Sequence, residues 1–286
     1  MKRLLVGIDF GDTTEAVLDS ARALSDELGC ELLLCHAVEY VPKGYETDFA
    51  EEREIRRHFD ERLAELAAAN SATTIPATIG PAVKVLMKLA KKHKADAILT
   101  GVSNRSAMER FFLGSTAERL VRQSKWPVFL RHPEDEGGRV ENIACAVDYS
   151  AHSKQTLRSA IALARALKAE LKVIHVTPEP FTYPGLPDIS VYHVSTPEPT
   201  AKAKQAMEDF LGHFDTSGLT VIPVLRSGVP SATIVTTCRD LKPDLLIIGK
   251  HGRGGIVDLL VGGVATDILR DVPCSMLVIG KRKLEA

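Results

Sequence analysis

The sequence lacks the features of a membrane protein, of a nucleic-acid-binding protein and of a disulfide-stabilised domain. No apolar run approaches the ~18 residues needed to cross a bilayer, and the N-terminal apolar run stops at Asp9, too soon for a signal peptide. Lys and Arg number 36 and Asp and Glu 37, a formal net charge of −1, whereas domains that grip a nucleic-acid backbone are usually basic. The five cysteines include no CxxC pair and are odd in number, which favours free thiols in a reducing compartment. We therefore expect a cytoplasmic protein that neither inserts into a membrane nor binds nucleic acid.

Motifs for catalysis and for metal binding are also missing from the sequence. The nine histidines show no HxxxH spacing and no cluster with cysteine, so no metal site built from protein side chains is predicted. Ser115 lies in a Gly-Ser-Thr run rather than in the GxSxG of a hydrolase elbow. No general base or arginine finger for phosphoryl transfer is recognisable. We predict no catalytic residues and expect a binding protein rather than an efficient enzyme.

The sequence does contain an internal repeat, which accounts for its length. Its 286 residues suggest two domains at roughly 150 residues each. An offset of 139 residues pairs Asp9 with Asp148, and an offset of 148 pairs Gly101 with Gly249. The offset grows by nine residues (148 − 139), so the second copy is nine residues longer between these two points. The Pro-rich stretch at 177–187 is the natural place for the extra residues.

The repeat predicts a first copy at residues 1–133 and a second copy at 139–286, with a charged, Gly-rich linker at 132–138. Both copies read as alternating strands and helices, which predicts an α/β fold of two tandem doubly wound domains, each with a five-stranded parallel sheet. Short apolar runs are typical of buried parallel strands. They lie at 3–8, 32–37, 74–79, 97–101 and 126–131, and at 142–147, 171–176, 220–225, 245–249 and 274–279.

Helices are predicted between these strands. Long amphipathic segments at 48–70 and 200–214 are the most extended of them. Thr13 and Ser153 precede apolar residues at helical spacing and are predicted as N-caps.

Two histidines, His36 and His175, fall at matching ends of the second strands. Contact with a ligand and a structural role are both open for this pair, and we favour the structural role.

A glycine-rich, basic stretch follows the fourth strand of the second copy. In doubly wound sheets ligands bind outside the carboxyl ends of the strands, where the strand order reverses, and residues 249–264 are predicted to lie there. Glycine lets the backbone approach a ligand closely, and the helix that follows offers free N–H groups to an anion. Lys250, His251 and Arg253 add positive charge. The pattern predicts a phosphate-binding loop, with a solvated surface loop as the alternative.

The spacing of the glycines fits neither a P-loop nor the first-turn G-x-G-x-x-G of a dehydrogenase. It resembles the universal stress protein family, whose nucleotide-binding members carry Gly-x2-Gly-x9-Gly-(Ser/Thr); Gly249, Gly252 and Gly262 stand at these glycines. The pairs Val147-Asp148 and His175-Val176, at the ends of the first two strands of the second copy, are similar to that family as well. The resemblance covers both copies and implies a tandem, two-domain member with the family's adenine nucleotide alpha hydrolase-like fold.

The resemblance implies ATP or AMP as the ligand, with Mg²⁺ held by the bound phosphates left open. In binding members the first-strand Asp and the end of the second strand hold the adenosine part, and the glycine loop with the next helix holds the phosphates. The implied ligand-binding residues of the second copy are Val147, Asp148, Val176, Gly249, Lys250, His251, Gly252, Arg253, Gly262, Gly263 and Val264.

One of these residues departs from the family pattern. Gly263 stands where Ser or Thr is expected, so a hydroxyl contact to a phosphate is missing although the backbone N–H remains. A hydrogen bond to a charged group contributes roughly 1.5–3 kcal/mol. We therefore expect weakened binding rather than none.

The first copy departs from the pattern in a different way. Asn104 replaces the second glycine, and the loop carries the bulky Met108, Phe111 and Phe112. A Cβ at a position of close approach hinders a phosphate, so we expect the second copy to be the main site. The implied residues of the first copy are Asp9, Gly101, Gly114, Ser115 and Thr116.

The fifth strands, at 126–131 and 274–279, are apolar and would lie at the edges of their sheets. Bare strand edges invite pairing, and the resemblance implies pairing there, since single-domain relatives dimerise through this strand. We predict that the two copies pair their fifth strands within one chain, as a pseudo-twofold dimer. Formation of a homodimer by whole chains is left open.

These observations favour a stress-response regulatory protein that binds an adenine nucleotide, mainly through the second copy, with slow ATP hydrolysis left open. The alternative is a nucleotide-independent interaction scaffold of the same fold. A nucleotidyl-transfer or ATP-pyrophosphatase enzyme is disfavoured, because the HxGH or SGGxDS signature that such enzymes carry after the first strand is absent from residues 9–14 and 148–153.

Overall fold

The structure is a computed structural model that describes residues 1–39, 49–102, 115–135, 138–178, 181–182, 190–191, 200–252 and 262–284. Two predicted site residues, Gly114 and Arg253, lie outside these ranges, as do the four loop residues Asn104, Met108, Phe111 and Phe112.

Helices and strands alternate through both copies. The first copy contains β1 (Arg3–Gly7), α1 (Thr14–Leu28), β2 (Glu31–Cys35), β3 (Ala37–Val38), α2 (Phe49–Ala69), β4 (Thr73–Thr74), β5 (Thr78–Ile79), α3 (Ala82–Lys92), β6 (Ala97–Gly101), α4 (Ser115–Gln123) and β7 (Val128–Arg131). The second copy contains β8 (Asn142–Ala146), α5 (Ala151–Leu167), β9 (Glu170–Thr177), β10 (Phe181–Thr182), β11 (Ser190–Val191), α6 (Ala201–Leu211), β12 (Val221–Ser227), α7 (Pro230–Leu241), β13 (Leu245–Gly249), α8 (Gly263–Ile268) and β14 (Met276–Ile279).

The main strands form one ten-stranded sheet in the order β12-β9-β8-β13-β14-β7-β6-β1-β2-β4. In each copy the first strand lies between the second and the fourth, because β1 pairs in parallel with β2 and β6, and β8 with β9 and β13. The predicted α/β fold of two tandem doubly wound domains is thereby confirmed, and their predicted five-stranded parallel sheets are joined into one mostly parallel sheet. The strand order reverses beside β1 and beside β8, so each copy has a crevice at the carboxyl end of its first and fourth strands.

The helices pack their apolar faces on this sheet. In α1 the buried side chains include Val17, Leu18, Ala21 and Leu24, which recur at helical spacing and face the core. The helix ends at Leu28 and is capped by Gly29, whose φ of 62° is the left-handed conformation that glycine adopts at little cost. Among the helices of the described residues, none has the length and apolar character needed to cross a membrane.

The third strand of the first copy differs from the prediction of one strand at 74–79. It is split into β4 and β5, because Pro76 has no N–H to give to the ladder. The N–H of Ala77 turns instead to the Asp60 carboxylate of α2, at 2.6 Å. The predicted strand is therefore present but interrupted at the proline.

The predicted N-cap Ser153 is wrong by three residues. Ser150 is the N-cap of α5, and its side chain accepts the backbone N–H of Ser153 at 3.1 Å. An N-cap side chain bonds the N–H two or three residues further on, so Ser153 is the donor of this motif rather than the cap. Thr13 does occupy the N-cap position of α1, without a capping bond from its side chain.

The two copies meet along β7 and β14, which pair antiparallel. Side chains on both strands are buried, so this seam continues the core of each copy into the other. The register pairs Val128 with Val278, Phe129 with Leu277 and Leu130 with Met276.

Candidate functional site

The first strand of each copy ends in the same tight turn. Asp148 is followed by Tyr149 at φ 64°, and its Oδ1 accepts the N–H of Ser150 at 3.0 Å. The first copy repeats the turn at Asp9 and Phe10, the latter at φ 58°. A left-handed non-glycine residue is uncommon, and here it holds the carboxylate of each Asp at the mouth of its crevice.

The glycine loop of the second copy closes onto this carboxylate. A Cβ built on Gly252 would lie 2.6 Å from Oδ2 of Asp148, so a residue with a side chain cannot occupy this position without moving the aspartate. Gly262 donates its N–H to the carbonyl of Lys250 at 2.8 Å, and a Cβ on Gly262 would lie 3.6 Å from the nitrogen of Gly252. The glycines at both ends of the loop thus meet at the carboxyl end of β13, beside Asp148.

Gly249, the last residue of β13, is constrained as well. A Cβ there would lie 2.8 Å from Oγ1 of Thr156 on α5. The two predicted residues that follow Gly262 are different: a Cβ at Gly263 would have no atom of the described residues within 4 Å, and Val264 is 41% exposed. The backbone that starts α8 therefore borders open space beside the loop.

Two histidines stand at the edge of this site. The ring of His251, in the loop, lies 5.5 Å from the ring of His152 in the first turn of α5. His152 was not predicted from the sequence. The signal for it was its position four residues after Asp148, on the turn that begins α5.

The structure corrects the expected role of the Lys250 side chain. Its ammonium donates to the backbone carbonyl oxygens of Arg122 and Ser124 in the first copy, the latter at 3.4 Å. Burial, and then the nearby Lys281, lower the pKa of Lys250. The charge therefore points into the seam, and only the backbone of Lys250 belongs to the glycine loop.

Val147 and Val176 are buried at the base of the second-copy site. The N–H of Val147 donates to the carbonyl of Ile174 at 2.9 Å, and its carbonyl lies 2.9 Å from Nδ1 of His175. The N–H and the carbonyl of Val147 thus both have partners within the fold. Val147 therefore holds the end of the first strand in place, next to Asp148.

The two matched histidines have structural roles. His36 and His175 are buried, and their Nδ1 atoms lie 2.7 Å and 2.9 Å from the carbonyl oxygens of Ile8 and Val147. Each histidine therefore ties its second strand to the residue that precedes the Asp of the first strand. His175 also stacks on Tyr149, with ring centroids 4.0 Å apart.

This packing predicts acid sensitivity of the fold through His36. Burial lowers the pKa of His36 from its ordinary 6.5. Between the lowered and the ordinary pKa the unfolded chain binds more protons than the folded one, so the stability that neutral His36 contributes is lost as the pH falls through this range. We expect the free energy of unfolding to decrease between about pH 7.5 and about pH 5.5, and H36Q to show a smaller decrease.

Urea unfolding at a series of pH values measures this effect. H213Q is the matched control, because His213 is exposed, and it should show the same pH dependence as the unchanged protein. An H36Q variant that is as acid-sensitive as the unchanged protein would contradict the prediction. Burial also lowers the pKa of His132, so part of the acid sensitivity should remain in H36Q.

The first copy has a cavity of about 400 Å³ at the equivalent crevice, within the size range of small-molecule sites. Three predicted residues, Asp9, Gly101 and Thr116, line it, and Ser115 begins α4 beside it. Sequence reasoning missed most of the lining, although the offset that pairs Asp9 with Asp148 also pairs Ala37 with Val176 and was a usable signal. The missed residues include Ile8, Ala37, Val38, Ala82 and Thr100.

The charge of the first-copy cavity does not favour phosphate. Asp9 and Glu39 both line it, and no Lys or Arg is among its described lining residues. The carboxylate of Glu39 accepts the N–H of Ala82 at 2.9 Å, at the start of α3. A carboxylate thus occupies the helix end that would otherwise attract an anion.

The residues that the structure describes contain no group of three or more His, Cys, Asp or Glu side chains placed to hold a metal ion. All five cysteines are buried free thiols.

Comparison with known proteins gives consistent matches to one family. The model of the universal stress protein family matches residues 1–131 and again 139–280. A curated universal stress protein from Methanocaldococcus jannaschii is 27% identical over 146 residues, covering 51% of this chain and 85% of that protein. One from Mycobacterium tuberculosis is 25% identical over 207 residues, covering 65% of this chain and 62% of that protein. The crystal structure of a universal stress protein from Archaeoglobus fulgidus covers 98% of both chains at 19% identity, with a TM-score of 0.72, and so shares the fold.

Proposed function

Because the chain belongs to the universal stress protein family, we propose that it is a regulatory protein that binds an adenine nucleotide, ATP or AMP, mainly through its second copy. The observation that carries the proposal is the approach of Gly252 to the Asp148 carboxylate, where a Cβ would lie 2.6 Å from Oδ2. At this distance a residue with a side chain would have to displace the carboxylate or the loop, so the position favours glycine. The approach brings backbone N–H groups and a carboxylate together at the point of strand-order reversal, where ligands bind in sheets of this kind.

The residues of this site fit a nucleoside phosphate. Asp148 is held by the N–H of Ser150 and is the acceptor for ribose hydroxyl groups. The N–H groups of Gly252, Gly263 and Val264 are the donors for the phosphate oxygens in this proposal, and hydrogen bonds to a charged group are the stronger kind. The space beside Gly263 accommodates the phosphates. Mg²⁺, where present, would be held by the phosphates rather than by a cluster of side chains.

The first copy is the weaker of the two sites in this proposal. Its cavity of about 400 Å³ has room for an adenosine group. Its carboxylates, Asp9 and Glu39, oppose the approach of phosphates. We therefore assign the phosphate-dependent affinity to the second copy.

We also propose that the two copies stay paired as one unit within the chain. It is supported by the antiparallel register of β7 with β14 and by the burial of both strands. Pairing closes the sheet edges that would otherwise be open to association.

Two measurements on the purified protein test the binding proposal. The protein is denatured and the released small molecules are separated by chromatography, and the ligand-free protein is then titrated with ATP and with AMP by calorimetry. We expect an adenine nucleotide in the first measurement or heat of binding in the second. Absence of both up to millimolar ligand would contradict the proposal and favour a nucleotide-independent scaffold.

The missing hydroxyl at position 263 gives a prediction of improved binding. A Cβ at Gly263 meets no atom of the described residues within 4 Å, so serine is expected to fit there with its hydroxyl in reach of a phosphate. A hydrogen bond to a charged group contributes roughly 1.5–3 kcal/mol, so G263S is expected to bind ATP about tenfold to a hundredfold more tightly. The measurement is calorimetric titration of both proteins.

G263A is the matched control for this substitution. It adds the Cβ without the hydroxyl, and its affinity should stay within about twofold of the unchanged protein. Equal affinities of G263S and G263A would show that the hydroxyl makes no phosphate contact.

A further inference from the structure

The Lys250 side chain crosses the seam and binds the end of a helix in the other copy. Lys250 is only 4% exposed, and its ammonium donates to the carbonyl oxygens of Arg122 and Ser124. These carbonyls belong to the last turn of α4 and the residue just after it. A cation is favourable at the C-terminal end of a helix, where the carbonyls have no partner within the helix.

The backbone of the same residue closes the glycine loop of the second copy. Its carbonyl accepts the N–H of Gly262, and its own N–H donates to the carbonyl of Ile279 on β14, both at 2.8 Å. Lys250 is thus bonded at once to the proposed nucleotide loop and to the helix α4 of the first copy.

The second copy makes further contacts with the turn that follows α4. The N–H of Arg282 donates to the carbonyl of Lys125 at 3.1 Å, and the guanidinium of Arg282 lies 4.9 Å from the ring centroid of Trp126. Trp126 is the one tryptophan of the chain. Its ring is therefore an intrinsic probe of this turn, held between the two copies.

The residue of the first copy that aligns with Lys250 cannot make the same connection. The offset of 148 residues that pairs Gly101 with Gly249 places Val102 opposite Lys250, and Val102 is fully buried. The N–H of Val102 donates to the carbonyl of Arg131 at 3.0 Å, as the N–H of Lys250 does to that of Ile279, but the apolar side chain of Val102 has no donor to offer. A buried ammonium costs free energy unless it is hydrogen-bonded, so among the described residues of the two aligned positions only Lys250 needs the carbonyls of the other copy.

Helix α4 also borders the cavity of the first copy. It begins at Ser115 and ends at Gln123, and Thr116 in its first turn lines the cavity. One nine-residue helix therefore connects the first-copy crevice at its N-terminal end with Lys250 at its C-terminal end.

We propose that Lys250 is a positioning residue that couples nucleotide binding at the second-copy loop to the α4 end of the first copy. This inference rests on the proposed function. A ligand bound by the loop backbone favours the arrangement of residues 249–252 that binds it best, and Lys250 transmits that preference to the carbonyls of α4. Coupling of this kind is reciprocal for binding free energies, so the state of α4 also sets the affinity of the second-copy loop.

The test is to record the fluorescence of Trp126 while the protein is titrated with AMP. Excitation is on the red edge of the indole band. Calorimetry on the same samples measures binding separately. We expect the unchanged protein to bind AMP with a change in Trp126 emission. K250M keeps an unbranched side chain, one heavy atom shorter, and removes its donors, so it should bind about tenfold more weakly and show no emission change at saturation. K250R restores donors to the same carbonyls and should recover both signals, which a role in packing alone would not produce.

G252V provides the second control, because it disables the second-copy loop without touching the seam. Its emission should not respond to AMP, and a response that survives in G252V would overturn the inference by assigning the signal to the first copy. Two results would overturn the inference but leave the proposed function standing. In the first, the unchanged protein binds AMP with no change in Trp126 emission. In the second, K250M shows the same emission change as the unchanged protein. Absence of any heat of binding in the unchanged protein would overturn the proposed function and the inference with it. The urea midpoint of K250M establishes that the variant is folded.

Discussion

Replacing Gly252 by valine is expected to weaken binding of ATP or AMP about a hundredfold or more while the protein stays folded. Losing two hydrogen bonds to charged groups, at roughly 1.5–3 kcal/mol each, corresponds to a factor of that size. The effect arises because the Cβ of valine would lie 2.6 Å from Oδ2 of Asp148. The aspartate must then move away from the loop, or the loop must move away from the aspartate.

Either movement harms the site more than the fold. Asp148 is anchored through Oδ1, which accepts the N–H of Ser150 at 3.0 Å, so a shift of the carboxylate disturbs this hydrogen bond and moves the proposed ribose acceptor. A displaced loop instead takes its N–H groups away from the phosphates. Gly252 is half-buried at the mouth of the crevice, and the core strands below it are unaffected.

The control for G252V is G263A, at a position where a Cβ has no atom of the described residues within 4 Å. Both variants add apolar side-chain atoms to the same loop region, but only G252V should lose binding. Calorimetric titration gives the affinities, and circular dichroism with urea unfolding gives the fold and stability. Unchanged affinity of G252V would place the nucleotide elsewhere, with the first-copy cavity at Asp9 and Gly101 as the next site to test.

Local chemistry explains why much of the fold and of the glycine loop could be predicted. Apolar runs of strand length occur at both copies' first and fourth strands, and β6 and β13 have the predicted bounds. The convergence of Gly249, Gly252 and Gly262 at one strand end follows from their spacing, since glycine is required wherever backbone and carboxylate approach this closely.

The errors have a common physical origin in long-range packing. The sequence places Lys250 in a basic loop, but its direction is decided by the C-terminal carbonyls of α4, which lie 128 and 126 positions away in the chain. The division of the third strand depends likewise on Asp60 of α2, which captures the N–H of Ala77. The hydrophobic pattern of one segment cannot show which distant residue will hydrogen-bond to it, because the rest of the fold brings that residue into place.

Introducing a carboxylate at the seam is expected to lower the free energy of unfolding by about 3–5 kcal/mol. Leu130 is 1% exposed and lies opposite Met276, which is fully buried. In L130D the carboxylate has no partner, and an unpaired buried charge costs about 3–5 kcal/mol, against a total stability of about 5–15 kcal/mol for a typical fold. Urea unfolding should therefore show a large fall in the free energy of unfolding or no cooperative transition at all.

A second substitution distinguishes pairing of the copies from burial within one of them. M276K alone should destabilise by a similar amount, for the same reason. If β7 and β14 pair in solution in the register of the structure, the L130D/M276K double variant places Lys directly opposite Asp, where side chains of paired strands interact. It should then be at least about 2 kcal/mol more stable than the sum of the single effects. If the single variants do not fold at all, a double variant that does fold gives the same evidence that the two residues interact.

The control for the charge itself is I222D, on β12 at the outer edge of the sheet. Ile222 is 37% exposed, and substitutions at such positions usually change stability by less than about 0.5 kcal/mol. Strict additivity of L130D and M276K would contradict the pairing, because residues that do not touch contribute independently. A coupled pair would instead show that the two halves of the chain fold as one unit, the condition under which Lys250 can connect a loop in one copy to a helix in the other.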